Sequence, residues 1–208
     1  MHSQKINLAP KNILFTLIAL FATVFSIIYL DNWIAGFITN FLFSHHLLRN
    51  LANNIPDLLI YIVIISTILI WAFYFYYARR DDKTQKVIFL KLSGIIIPSS
   101  YIIKSLLKIF FRGEFFRVWV AHHSTLHHNL LLHNDLSSFP SGHMTVFAAF
   151  GQVLCLYYPQ FRKYTLLVLS LLGISTIVTD YHFLSDVIAG FYFGVITARI
   201  ISYFILKR

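Results

Sequence analysis

Charge is scarce in this chain: of 208 residues only 12% are Asp, Glu, Lys or Arg, 58% are hydrophobic, and the mean hydropathy is +0.70. A soluble domain cannot keep that much apolar side chain off its surface, so the composition excludes one and requires an integral membrane protein. Cysteine is nearly absent. Cys155 is the single one and lies inside an apolar run, which excludes a disulfide framework and a cysteine metal centre and leaves a packing role. An internal repeat, a low-complexity linker and a basic patch interleaved with aromatics are also missing. The net charge of +9 sits on residues scattered at the ends of apolar segments, so membrane topology accounts for it and nucleic acid does not.

What is present is a series of apolar runs. Residues 13–30, 58–77, 87–103, 144–158, 164–178 and 187–206 read as six spans, which predicts an all-α polytopic membrane helix bundle forming one domain over residues 1–208. The first run lacks a convincing small-x-small cleavage site and is read as an uncleaved span. Residues 31–57 mix Trp33, Phe37, Phe41 and Phe43 with polar residues and read as an interfacial helix, with His45 and His46 as interface residues. The aromatic cluster from Trp71 to Tyr77 reads as a surface anchor. The third span is weakened by Lys91, Gly94 and Pro98 and ends in a basic ladder, Lys104, Lys108 and Arg112, which shares one stripe if the helix continues.

Six spans put both termini on one side. Lys5, Lys11, Arg79, Arg80, Lys83, Lys86, Arg162, Lys163, Lys207 and Arg208 all fall there, and the positive-inside tendency makes that face cytoplasmic. The opposite face then carries one dense basic group, Lys104, Lys108, Arg112 and Arg117. A phosphate held at that surface gives those cations a purpose, since Lys and Arg neutralise and fork onto phosphate oxygens. Snorkelling at a helix end is the plainer alternative.

The same face holds two further groups. In Phe139-Pro140-Ser141-Gly142-His143, Pro140 and Ser141 are suited to a loop entering a helix, Ser141 as its N-cap. A helix's first turn, with its unpartnered N–H groups and positive dipole end, suits a phosphate. Gly142 lets an anion approach the backbone, and the ring of His143 gives or takes a proton near neutral pH. Farther on, His182 and Asp186 are spaced i, i+4 at the mouth of the last span. There a carboxylate can fix the imidazole tautomer and leave the other ring nitrogen basic.

These motifs resemble those of the type 2 phosphatidic acid phosphatase superfamily, the lipid phosphate phosphatases. Phe139 to His143 matches its P-S-G-H motif, and His182 to Gly190 resembles the end of its third motif, S-R, five residues, then H-x-x-x-D-V with a glycine after. Leu107 to Arg112 is loosely similar to the first motif, K-x-x-x-x-x-x-R-P, and the resemblance runs over residues 104–190. Two departures stand out. The first motif lacks its proline and its spacing, leaving Arg112 as the phosphate ligand with either Lys108 or Lys104 as partner. The third motif has Thr176 where the family has an arginine that grips the phosphate.

The resemblance implies a metal-free hydrolase with no cofactor. His182, oriented by Asp186, would attack phosphorus to form a phosphohistidine, while His143 protonates the departing lipid oxygen and later activates water. Lys108, Lys104, Arg112, Ser141 and the Gly142 N–H would stabilise the phosphoryl oxygens. The implied partners are the bilayer and a lipid phosphate such as an isoprenoid diphosphate, phosphatidylglycerol phosphate, phosphatidic acid or a lipid A phosphate. The implied place is a bacterial inner membrane with the site facing the periplasm.

Two other readings compete. His123, His127 and His128, in the histidine-rich loop of residues 113–140, form an H-x-x-x-H-H box like those that hold iron in membrane desaturases and hydroxylases, although no matching second box is found. With His122 and His133 this loop is instead read as a lid or headgroup-recognition segment. Thr176 motivates the other alternative, a lipid-phosphate carrier that binds without cleaving.

Overall fold

The computed structural model describes residues 10–43, 55–80, 84–111, 139–179 and 181–207. Among them every regular element is helical. Helix α1 (Pro10–Phe25) passes through one wide π-helical turn (Ser26–Leu30) straight into α2 (Asp31–Phe43). After these come α3 (Ile55–Ala78), α4 (Gln85–Phe110), α5 (Gly142–Tyr157), a 3₁₀ turn (Pro159–Phe161), α6 (Arg162–Val178) and α7 (Leu184–Leu206). Among the described residues five segments are long and apolar enough to cross a membrane: Ile13–Ile38, Leu58–Ala78, Gln85–Phe110, Pro159–Val178 and Leu184–Leu206. The sixth expected span is α5, which has only 16 residues.

Helix α5 sits at the centre because its neighbours cover nearly every face of it. Ala149 and Val153 pack with Leu92 and Ile96 of α4 and Ala198 of α7. Met144 and Ala148 pack with Leu169 of α6 and with Val187 and Val195 of α7. Val146 meets Leu59 and Val63 of α3 and Ile97 of α4. Lipid tails are as apolar as leucine, so such packing depends on close fit, and small residues supply it here. A Cβ on Gly194 would stand 2.3 Å from the Thr145 carbonyl oxygen, and one on Gly190 would stand 2.6 Å from that of Ser141. Glycine at both positions lets α7 lie backbone to backbone against α5. The outward faces of α1, α3 and α6 expose Leu17, Phe21, Ile64, Ile68, Leu167 and Leu171, as lipid-facing surfaces do.

Of the basic residues expected on one side, Lys5, Lys83 and Arg208 lie outside the described residues, while Arg79, Arg80, Lys86, Arg162, Lys163 and Lys207 lie at helix ends on one end of the bundle. There Arg80 lies over the Tyr76 ring at 4.4 Å, Lys207 lies 5.4 Å from the Tyr203 ring, and the Gln85 amide donates to the Tyr157 carbonyl. The last turns of α4 and the first turns of α5 and α7 meet at the other end.

One sequence expectation is corrected. The first span does not stop at Leu30 to give way to an interfacial helix from Asp31, because the helix continues through Asp31, which is 7% exposed. The physical reason is that Asp31 is solvated by protein: its Oδ1 accepts from the Ser26 hydroxyl at 3.0 Å and from the Ser185 N–H of α7 at 3.1 Å. A satisfied carboxylate need not end an apolar span. Of the expected interfacial aromatics, Trp33 and Phe37 are exposed and stacked on each other at 6.2 Å. His45 and His46 lie outside the described residues.

Candidate active site

Ser141 is the N-cap of α5, as its residue type and the preceding proline predict. Its Oγ accepts the Met144 N–H at 3.4 Å, and its carbonyl accepts the Thr145 N–H at 3.0 Å and the Thr145 hydroxyl at 2.7 Å. The α5 N-terminus is thereby fixed, and its opening turn presents the positive end of the helix. Gly142 and His143 occupy that turn, both buried.

A second helix begins against it. At the mouth of α7 the Asp186 Oδ2 accepts the Phe183 N–H at 3.1 Å and lies 3.3 Å from Nδ1 of His182. Both side chains are almost wholly buried, and the chain on the other side of His182 is anchored too. The N–H groups of Tyr181 and His182 donate to the Thr176 carbonyl at 3.0 and 3.1 Å. A carboxylate facing Nδ1 favours the tautomer with its proton on that nitrogen and the lone pair on Nε2.

The two helix mouths are joined directly. The Ser141 N–H donates to the Asp186 carbonyl at 3.0 Å, and the missing side chain of Gly190 allows that approach. The Ser141-Gly142-His143 stretch and the His182–Asp186 pair, 39 residues apart from histidine to histidine in the chain, are thus one structural unit.

The basic ladder arrives from α4, which continues to Phe110 despite Pro98 in its interior. Lys104 ends at Gly142: a Cβ there would meet its Cδ at 3.2 Å and its Nζ at 3.5 Å. Its ammonium also lies 4.1 Å from the centre of the Tyr101 ring, a cation–π contact. Lys108, one turn farther and partly buried, lies within electrostatic reach of both Lys104 and Asp186. The sequence left open which lysine serves the site, and both of them lie at it. Phe111 closes the end of α4 against Phe139 and Phe193, with ring centres 5.1 and 6.3 Å away.

Thr176, where the motif has arginine, is buried, and its hydroxyl donates to the Gly173 carbonyl of its own helix at 2.9 Å. That position therefore steadies His182 through its backbone and brings no charge. The readings of Arg112, of Arg117 and of the loop histidines His122, His123, His127, His128 and His133 fall outside the described residues. Sequence reasoning also missed Asp31, whose contact with Ser185 places it one residue from Asp186. The signal was present as a carboxylate directly after an apolar run, where an ionisable side chain calls for a partner.

A family model described as the PAP2 superfamily matches residues 88–208. Over 62 residues, 30% of this chain, the sequence is 39% identical to a lipid A 1-phosphatase of Rhizobium johnstonii, and equally to one of Rhizobium etli. Those stretches make up 25% and 27% of the two proteins, so the chain spans about a quarter of the length of the curated relatives it matches. Among solved structures it is similar to the crystal structure of the first transmembrane PAP2 type phosphatidylglycerolphosphate phosphatase from Bacillus subtilis. That likeness has a TM-score of 0.43 and 19% identity and covers 96% of this chain and 89% of the other.

Proposed function

The chain belongs to the PAP2 superfamily, and from that premise we propose that it is a metal-independent lipid phosphate phosphatase acting through a phosphohistidine. The observation that carries this reading is the hydrogen bond from the Ser141 N–H to the Asp186 carbonyl, which fastens the mouth of α5 to the His182–Asp186 pair. In the proposed reaction Nε2 of His182 attacks phosphorus, the P–O bond to the lipid breaks, and His143 delivers a proton to the leaving oxygen. A water then attacks the phosphohistidine, with His143 taking its proton, so that inorganic phosphate and free His182 are restored.

Charge on the phosphoryl oxygens is met by Lys104, Lys108 and the opening turn of α5, with Arg112 proposed beside them. The two lysines take up the duty of the arginine replaced at Thr176. They give up its two-pronged geometry but supply charge in a buried site, where charge is worth more than in water.

The site is proposed to face the periplasm from the bacterial inner membrane, opposite the end bearing Arg79, Arg80, Arg162, Lys163 and Lys207. There a lipid keeps its tail in the bilayer and brings its phosphate to the mouths of α5 and α7. The relatives named as lipid A 1-phosphatases support including lipid A phosphates among the substrates tested.

The experiment is phosphate release by the purified protein from lipid A phosphates, undecaprenyl diphosphate, phosphatidylglycerol phosphate and phosphatidic acid, each with and without EDTA. Release from at least one of them, unchanged by the chelator, is the expected result. Release that EDTA abolishes and iron or zinc restores would transfer the chemistry to metal and to the box of His123, His127 and His128. Thr176 supports a second reading, a carrier that keeps the pocket without turnover, and tight binding with no release on any substrate would establish it.

A further inference from the structure

Asp31 belongs to none of the three phosphatase motifs and lies outside the residues 88–208 that the family model matches. It sits within the span Ile13–Ile38, where an ionisable side chain is costly, and an alanine there would cost less to bury. The cost of burial alone thus gives no reason for a carboxylate. Its surroundings give one. The turn that precedes it, Ser26–Leu30, is π-helical, a wide turn that takes up an extra residue and resets the facing of the helix beyond it. One residue of register turns a helix by about 100°, so this turn determines which way Asp31 faces. Across that turn the Ser26 hydroxyl donates to Asp31 Oδ1 at 3.0 Å, and the same oxygen accepts the Ser185 N–H at 3.1 Å. Ser26, Asp31 and Ser185 are all buried.

Ser185 lies in the first turn of α7, directly before Asp186. Two carboxylates from two helices therefore grip one turn: Asp186 holds the Phe183 N–H and faces His182, while Asp31 holds the next amide but one. We propose that Asp31 is a positioning residue for the hydrolytic pair, a latch from the first span that fixes the α7 mouth and through it the line of attack of His182. The inference rests on the reading of His182 and Asp186 as the catalytic pair. Asp31 itself touches no reacting atom and acts only through the turn it holds. Small errors in the placement of a reacting group are expensive, a shift of about 1 Å costing as much as a hundredfold in rate.

The test compares Asp31→Ala, Asp31→Asn and His182→Ala with the parent, all full-length in detergent, on whichever lipid phosphate the parent cleaves. Two readouts are taken: the kcat and KM of phosphate release, and amide hydrogen exchange over residues 181–187. Asp31→Ala is expected to lower kcat about tenfold to a hundredfold with KM within about twofold, and to raise exchange at the Ser185 amide. Asp31→Asn keeps an acceptor oxygen at the same place and is expected to restore both readouts to near the parent value. That rescue separates a latch from a requirement for charge, and it remains informative should the alanine variant fold poorly. Parental kcat and protection in Asp31→Ala, or an asparagine variant as slow as the alanine one, would overturn the latch while His182→Ala stayed inactive. Hydrolysis persisting in His182→Ala would instead overturn the site reading, and the latch with it.

Discussion

His182→Ala is expected to reduce lipid phosphate hydrolysis by on the order of 10⁴-fold or more, with lipid binding nearly unchanged. The size comes from what the ring would do. A nucleophile that forms a covalent intermediate divides one difficult displacement into two easier ones, and removing it leaves only the stabilisation supplied by the surrounding charges. Binding should survive because Lys104 at Gly142, Lys108 and the N-terminal turn of α5 do not depend on the imidazole. Paired measurements of kcat and of equilibrium binding of an uncleaved lipid phosphonate check this. A large rise in the dissociation constant, with kcat little changed, would make His182 a binding residue and not a nucleophile.

The second large effect is expected at His143, and it depends on the substrate. As the proton donor to the departing lipid oxygen its contribution should be about 10²- to 10⁴-fold on a lipid phosphate, whose alkoxide leaves poorly without a proton. On p-nitrophenyl phosphate, whose leaving group departs unprotonated, His143→Gln should lose far less in the phosphorylation step. The ratio of the two losses, measured as kcat/KM, is therefore the diagnostic. Equal losses on both substrates would assign His143 to holding the phosphate. Its placement in the opening turn of α5, buried beside the cap at Ser141, is consistent with a donor held in a water-poor pocket.

How far the sequence foretold this depends on the range of the physics involved. The mouth of α5 was legible because capping is local: Pro140 and Ser141 mark a helix start whatever surrounds them. The His182–Asp186 pair was legible for the same reason, four residues being about one helical turn. The continuation of α4 to Phe110 could be read only conditionally, since the apolar run ends at Ile103 and the residues beyond it carry Lys104 and Lys108. Other features depend on partners remote in sequence. That Asp31 stays inside the first span depends on the N–H of Ser185, 154 positions away. The close approach at Gly190 and Gly194 depends on the carbonyls of Ser141 and Thr145, which no periodicity in α7 could disclose. The shortness of α5 likewise reflects its central place among α3, α4, α6 and α7, where its neighbours shield it from lipid.

The departure at Thr176 was visible in the sequence, but what it meant was not. A missing arginine suggests a weakened site, and the structure adds a backbone duty at that position that any residue there could supply, the carbonyl that holds the Tyr181 and His182 amides. It also brings two lysines of α4 to the mouths of α5 and α7 where the family motif has one.

The most direct test of the central claim is rapid quenching of the parent during turnover of a lipid phosphate, and of His143→Gln during turnover of p-nitrophenyl phosphate, then mass spectrometry under alkaline conditions that preserve phosphohistidine. A phosphoryl group on the peptide containing His182 is the predicted result, and it should accumulate in the His143 variant, in which water attack is slowed. Phosphate found on any other residue, or its absence from His182 in a variant that still turns over, would contradict the proposed mechanism.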